Sequence, residues 1–209
     1  MINELPESRY RIGISMVEYE EYLDAVDRRL YLTAPIESDD LDFGMSNGTH
    51  LTDSIIAYNR QDHGIDVEKR KPIRLYINSP GGDITDGFSV VSAIEASTTP
   101  VYTINIGQWS SMAFLIGITG HKRFSLPRMT FLMHDGSTWN IGTAKKVQDQ
   151  AEFEKRFQYE VIRSHVLNHS HMKAVDYDAL ARVEYYMLPE DALERGFIDY
   201  IVGSLDEII

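Results

Sequence analysis

The 209-residue sequence contains no cysteine. That excludes a disulfide framework, a thiol nucleophile and any thiolate metal site. It also lacks an apolar run of the roughly 18–20 residues that a membrane span needs. The longest mostly apolar stretch, Met112 to Thr119, is far shorter. The opening residues (MINELPESRYRIG) hold no apolar signal-peptide core. Basic residues are outnumbered, with 20 Lys and Arg against 32 Asp and Glu and a net charge of −12. Such a surface repels phosphate backbones and anionic lipids, so neither a nucleic-acid nor a membrane partner is expected, and a cytoplasmic protein is. What is present is ordinary for a soluble globular chain: 43% hydrophobic and 25% charged residues. The length suffices for one domain with a buried core.

Apolar runs and turn residues alternate along the chain. Met16 to Arg29 reads as a short acidic helix and Arg29 to Thr33 as a first buried strand. Asp39 to Thr49 is a loop rich in Asp, Gly, Ser and Asn. Leu51 to Arg60 has helical spacing. Ile73 to Asn78 (IRLYIN) is a strand, Ser79-Pro80-Gly81-Gly82 a tight turn, and Thr85 to Thr98 a helix. Val101 to Ile106 is a strand, and Ser111 to Thr119 an apolar helix. Lys122 to Leu126 and Thr130 to Met133 are strands, and Gly136 to Gly142 a loop. A long helix over about Thr143 to His169 carries Val147, Phe153, Phe157, Val161, Ile162 and Val166. Short helices at Asp178 to Arg182 and Pro189 to Arg195 precede a last strand, Phe197 to Val202. Alternating strands and helices give an α/β class with a mainly parallel sheet.

Three features offer chemistry. Pro-Gly-Gly after a strand lets the backbone bend sharply and present N–H groups at a helix start, where they can hold an oxyanion; taken alone, it is a plain turn. Gly107 to Ala113 joins an apolar strand to an apolar helix, so Ser110 or Ser111 sits at the carboxyl edge of the sheet. This has the logic of a nucleophile elbow without its G-x-S-x-G residues; the alternative is a helix cap. His134 directly follows a strand and could serve as general base. His165 and His169, four apart on the long helix, and His171 after them read as solvated residues, because no HExxH arrangement accompanies them. No metal site is expected. Acid candidates (Asp176, Asp178, Glu184, Glu190, Asp191) are not separated by spacing.

Together these motifs resemble the Clp protease proteolytic subunit family (ClpP), over about Arg29 to Val202. The residues that carry the likeness are Ile73 to Gly82 (IRLYINSPGG), Gly107-Gln108 with Ser111-Met112, and Arg123-Phe124 with Leu126-Pro127. They continue with the strand ending in His134, then Glu190-Asp191-Ala192 and Gly196-Phe197-Ile198-Asp199. The resemblance implies a crotonase-like α/β spiral with a protruding handle, here the long helix after Gly142. It divides the chain into a divergent N-terminal segment, 1–28, and a peptidase domain, 29–209.

The resemblance also implies an ATP-dependent, Clp-type serine endopeptidase that cleaves unfolded polypeptides inside an oligomeric chamber. Ser111 matches the nucleophile and His134 the base. Counting back from Gly196, the acid position is Glu184, where the family has aspartate; Asp178 is the second choice. The oxyanion donors would be the N–H groups of Gly82 and Met112. No cofactor is implied. The implied partners are other copies of the chain, in heptameric rings that pair into a tetradecamer, and an AAA+ unfoldase. The altered acid position raises an alternative, a catalytically impaired structural or regulatory subunit. A serine–lysine enzyme would instead need Lys122 or Lys145, the lysines nearest the motifs, beside Ser111.

Overall fold

The computed structural model describes residues 16–37, 47–136 and 141–208, with side chains from residue 21 onward. The first fifteen residues of the N-terminal segment, nearly all of the loop at Asp39 to Thr49, and the middle of the loop at Gly136 to Gly142 lie outside the described residues. Asn47 to Thr49 already belong to a helix.

The elements follow in chain order. Helix α1 is Met16–Asp27, β1 Arg29–Leu32, α2 Asn47–Gln61, β2 Ile73–Ser79 and α3 Ile84–Ala96. Next come β3 Val101–Ser110, α4 Met112–Ile118, β4 Lys122–Ser125 and β5 Thr130–Met133. Helix α5, Ala144–Phe157, runs through a π-helical turn, Gln158–Ile162, into α6, Arg163–Asn168. The chain closes with α7 Ala174–Leu180, β6 Tyr185–Met187, α8 Pro189–Glu194 and β7 Tyr200–Ile201.

The α/β class and the parallel sheet are as expected. Strands β1, β2, β3, β4 and β7 are neighbours in that order, all parallel. Several bounds differ from the sequence reading: the short helix expected at Asp178 to Arg182 is Ala174–Leu180, and the last strand, expected over Phe197 to Val202, is Tyr200–Ile201. Two further differences bear on the site. Strand β3 does not stop at Ile106 but continues to Ser110. Its first half, Tyr102 to Asn105, pairs with β4, and its second half, Gln108 to Ser110, pairs with β5. Asparagine side chains bridge the change of partner: Gly107 N donates to Asn105 Oδ1 at 3.0 Å, and Gln108 N to Asn78 Oδ1 at 3.2 Å. These bonds replace ladder bonds lost at the register shift after Ile77. The second point is β6, a strand absent from the sequence reading, which pairs antiparallel with β5. Three residues (Tyr-Tyr-Met) are too few for alternation to announce a strand.

The central strands are buried as parallel strands usually are. Ile73, Leu75 and Ile77 of β2 are fully buried and belong to one core with Val90, Val91 and Ile94 of α3 and every apolar residue of α4. Each such aliphatic side chain contributes about 1.5–3 kcal/mol by leaving water. A smaller cluster lies apart from it, formed by Ile104, Phe124, Val202 and Ile208 with Tyr76 and Tyr102 packed alongside. Buried polar groups tie the elements. Asp62, 2% exposed, receives two hydrogen bonds from the Arg28 guanidinium at 2.6 and 2.7 Å and one from Thr99 Oγ1 at 2.8 Å. Arg123 chelates Asp199 at 2.6 and 3.1 Å and donates to the carbonyls of His169 and Gly196. The Arg123 and Asp199 of the sequence motif thus hold β4, the end of α6 and the approach to β7 together.

Candidate active site

The C-terminal ends of β2, β3 and β5 meet at one edge of the sheet, the edge where open parallel sheets place their ligands. The Pro-Gly-Gly turn follows β2, Ser111 follows β3 and His134 follows β5. Ser111 Oγ lies 2.8 Å from His134 Nε2. The two residues are 23 apart in sequence and are brought together because β3 and β5 pair in parallel up to Ser110 and Leu132.

Ser111 has φ 55° and ψ −125°, a backbone conformation that non-glycine residues rarely adopt. Its N–H donates to Leu132 O at 3.0 Å, which fixes the sharp corner between β3 and α4. Ser111 stands at the N-cap of α4, but its side chain makes no capping bond. Its hydroxyl therefore meets the imidazole instead of the helix, and the helix-cap alternative does not hold for it. Ser110 is buried, and its Oγ pairs with Gln108 Oε1 at 3.1 Å, so it is the structural serine of the pair.

The turn presses directly on this corner. Gly81 has φ +89°, and a β-carbon there would come within 2.6 Å of Ser110 O, 2.8 Å of Met112 N and 2.8 Å of Ser111 Cβ. Ser79 Oγ holds the turn by accepting from Gly81 N at 3.1 Å and donating to Ala34 O at 2.7 Å. Gly82 forms a parallel bridge to Ile36: Ile36 N donates to Gly81 O, and Asp83 N to Ile36 O. In that pattern the N–H of Gly82 points away from Ile36. Met112 N, in the first turn of α4, has no carbonyl four residues back within the helix. Of the two backbone donors named from the sequence, Met112 N directly follows Ser111, and Gly82 N follows the Gly81 that packs on this corner. Sequence reasoning placed Gly81 merely in a turn; its missing side chain is what allows the approach.

The third position is different. Glu184 is exposed, and its carboxylate accepts from Tyr186 Oη at 2.7 Å. Asp178 is held by Arg163 at 2.7 and 3.1 Å, and this guanidinium keeps its carboxyl below the usual range. Among the described residues no carboxylate lies within 4.0 Å of a His134 nitrogen; the histidines that meet that limit are His165 and His169, both facing Glu95. Lys122 sits over the Tyr102 ring and Lys145 pairs with Asp149, so neither amine partners Ser111.

A cleft beside Ser111 and His134 is walled by Met133, Ile162, Val166 and Tyr177. Ile84, Asp135 and Ile162 also line a neighbouring groove of about 740 Å³ between α3 and α5, with Phe88, Phe153 and Phe157. Burial pushes the Tyr177 phenol up to about 12, so the ring stays neutral at the cleft wall. No pattern in the sequence singles out these wall residues; the π-helical turn that positions Ile162 is likewise invisible to a 3.6-residue period. Ile162 and Val166 are buried, whereas no side chain of α5 is. The expectation that His165 and His169 are solvated fails for His165, which is 6% exposed.

The arrangement offers a hydroxyl in hydrogen-bond contact with an imidazole at one corner of the sheet edge. A family model described as Clp protease matches residues 61–204, which include the turn, the serine, the histidine and Glu184. The chain belongs to the Clp protease family.

Proposed function

We propose that the protein is a serine endopeptidase acting through Ser111 and His134. Membership of a family of peptidases supports the reaction class. The observation that carries the residue assignment is the 2.8 Å contact between Ser111 Oγ and His134 Nε2, within the reach a nucleophile and its base require. In this reading Ser111 Oγ attacks the peptide carbonyl as His134 Nε2 takes its proton. The N–H groups of Gly82 and Met112 hold the oxyanion, a stabilisation of about 3 kcal/mol for each donor. His134 then protonates the leaving amine, and water hydrolyses the acyl-enzyme by the reverse proton path. Glu184 serves as the acid that orients the imidazole. The register supports it: Met133 and Tyr185 are the last pair of the β5–β6 ladder, and His134 and Glu184 are the next residue beyond it on each side. In this reading the carboxylate leaves Tyr186 for the imidazole.

The family is generally oligomeric and works with unfoldases. On that basis the substrates are unfolded polypeptides, cleaved in a chamber built by rings of this chain, heptameric as in the resemblance. Helix α5, with Phe153 60% exposed, is the segment suited to be a handle between rings. Residues 29–209 form the peptidase domain, fed by an ATP-dependent unfoldase in the cytoplasm. No helix among the described residues is long and apolar enough to cross a membrane.

The test is covalent labelling by a fluorophosphonate probe. Wild-type protein is labelled and Ser111→Ala is not; equal labelling of the two sinks the assignment. A second reading, a catalytically impaired subunit, is favoured by one observation, the absence of a carboxylate within 4.0 Å of His134 among the described residues. It predicts no labelling of wild-type protein and intact rings.

A further inference from the structure

Behind the wall of the cleft, α6 packs on α4 and α3 through a group of side chains the proposed reaction does not use. His165 and His169 lie one helical turn apart, with ring centroids 4.3 Å apart. Glu95, near the end of α3, faces both: its Oε1 is 3.5 Å from His165 Nδ1 and 3.8 Å from His169 Nε2. One ligand atom from each of the three residues lies within 4.8 Å of the others.

The hydrogen bonds around the rings fix where their lone pairs point. Thr119 Oγ1 spends its proton on Leu115 O at 2.7 Å. His165 Nε2 lies 3.1 Å from that hydroxyl oxygen and 3.2 Å from the same carbonyl. Both neighbours can therefore only accept, so Nε2 carries the hydrogen and Nδ1 is left with its lone pair. His169 Nδ1 lies 2.9 Å from His165 O. A carbonyl accepts too, so Nδ1 carries the hydrogen and Nε2 is left with its lone pair. Two lone pairs and a carboxylate oxygen thus converge on one point. Such a group is repulsive unless something positive sits among it. Ligating histidines are oriented in this way, by donating their other N–H to a carbonyl or hydroxyl.

We propose that Glu95, His165 and His169 bind one divalent ion of the zinc class. Ligands about 2.0–2.1 Å from such an ion in a tetrahedron stand about 3.3 Å apart; Glu95 Oε1 is 3.5 and 3.8 Å from the two ring nitrogens, and all three atoms, within 4.8 Å of one another, draw closer around the ion. Glu95 is half exposed and forms the mouth of the site, where water completes the coordination. The bound ion fastens α6 to α3. Helix α6 carries Val166, and the turn before it carries Ile162, so the ion steadies the wall of the cleft from behind. The sequence hid this site because its third ligand lies 70 residues upstream on another helix.

The test uses the full-length protein, stripped with a chelator and titrated with Co²⁺ as a spectroscopic stand-in for zinc. The expected result is one equivalent bound with the intense visible absorption of four-coordinate cobalt, and displacement of that signal by Zn²⁺. Glu95→Gln and His169→Gln, both at partly exposed positions, each weaken binding by roughly 100-fold or more, whereas His171→Gln and His134→Ala bind as wild type. Circular dichroism before titration checks that each variant is folded; should His169→Gln unfold, Glu95→Gln alone decides. Weak six-coordinate cobalt spectra, or unchanged affinity in Glu95→Gln, overturn the proposal.

Discussion

The carboxylate of Glu184 accepts a hydrogen bond from Tyr186 Oη at 2.7 Å, just beyond Met133 and Tyr185, the last pair of the β5–β6 ladder. If Glu184 orients His134 as proposed, Tyr186 competes with the imidazole for it. Tyr186→Phe removes the competitor. It is expected to raise kcat/KM on an unstructured fluorogenic peptide several-fold, and Glu184→Ala to lower it by roughly 10²-fold, within the ~10⁴ that misorienting a triad histidine costs. Unchanged kinetics in Glu184→Ala would show that Ser111 and His134 work as a dyad.

Ser111→Ala and His134→Ala each lower kcat by roughly 10³-fold or more, and the double variant is little worse than either, because the two side chains act as one unit. Steady-state peptide cleavage measures this. Additive losses would mean that the residues act in separate steps.

Gly81→Ala tests the turn pressed against the Ser111 corner. Its β-carbon would sit 2.6 Å from a backbone oxygen at a φ of +89°, so the turn or the corner must move. Displacing a nucleophile by about 1 Å costs on the order of 10²-fold. The rate of fluorophosphonate labelling falls by about that factor. The paired variant Gly64→Ala, at φ +86° with nothing near its β-carbon, lowers stability modestly and leaves labelling unchanged.

Asp62→Asn leaves Arg28, 12% exposed at its side chain, without its counter-charge. Loss of one partner from a buried pair costs about 3–5 kcal/mol, and the exposed fraction of Arg28 places this case at the lower end. Urea denaturation at neutral pH reads the loss as a lower midpoint. A midpoint within error of wild type would mean that Thr99 and Arg28 re-pair with the amide at no cost.

The same aspartate gives a pH dependence. Arg28 holds the Asp62 carboxyl below the usual range, and Lys71 followed by Arg29 lowers Asp27 to about 2. Both groups bind a proton more readily when unfolded. Their contribution is complete above the unfolded value, near 3.9, and disappears as pH falls through the folded values. Stability is therefore expected to drop between about pH 5 and 2, less steeply in Asp62→Asn. A wild-type midpoint flat across that range would contradict the pairing.

Much of this was legible in the sequence because it rests on local pattern. Alternating apolar runs announced the α/β class, and one glycine pair and a serine at strand ends marked the sheet edge where Ser111 and His134 meet. What stayed hidden depends on distance. Nothing local in Gly107-Gln108-Trp109 says that β3 exchanges β4 for β5, because the exchange is made by Asn78 and Asn105 from either side. His165 read as solvated because the surfaces that bury it, α3 and α4, are remote in sequence. The acid was ambiguous because spacing does not say which side chain each carboxylate meets, Tyr186 for Glu184 and Arg163 for Asp178.

The left-handed backbone of Ser111 has one more implication. A glycine at that corner would relax the strain and add about 1 kcal/mol to the fold, while deleting the hydroxyl. The hydroxyl at this corner is therefore carried at a cost in stability. A selection run for thermal endurance alone should drift toward Ser111→Gly, and a selection run for turnover should refuse it.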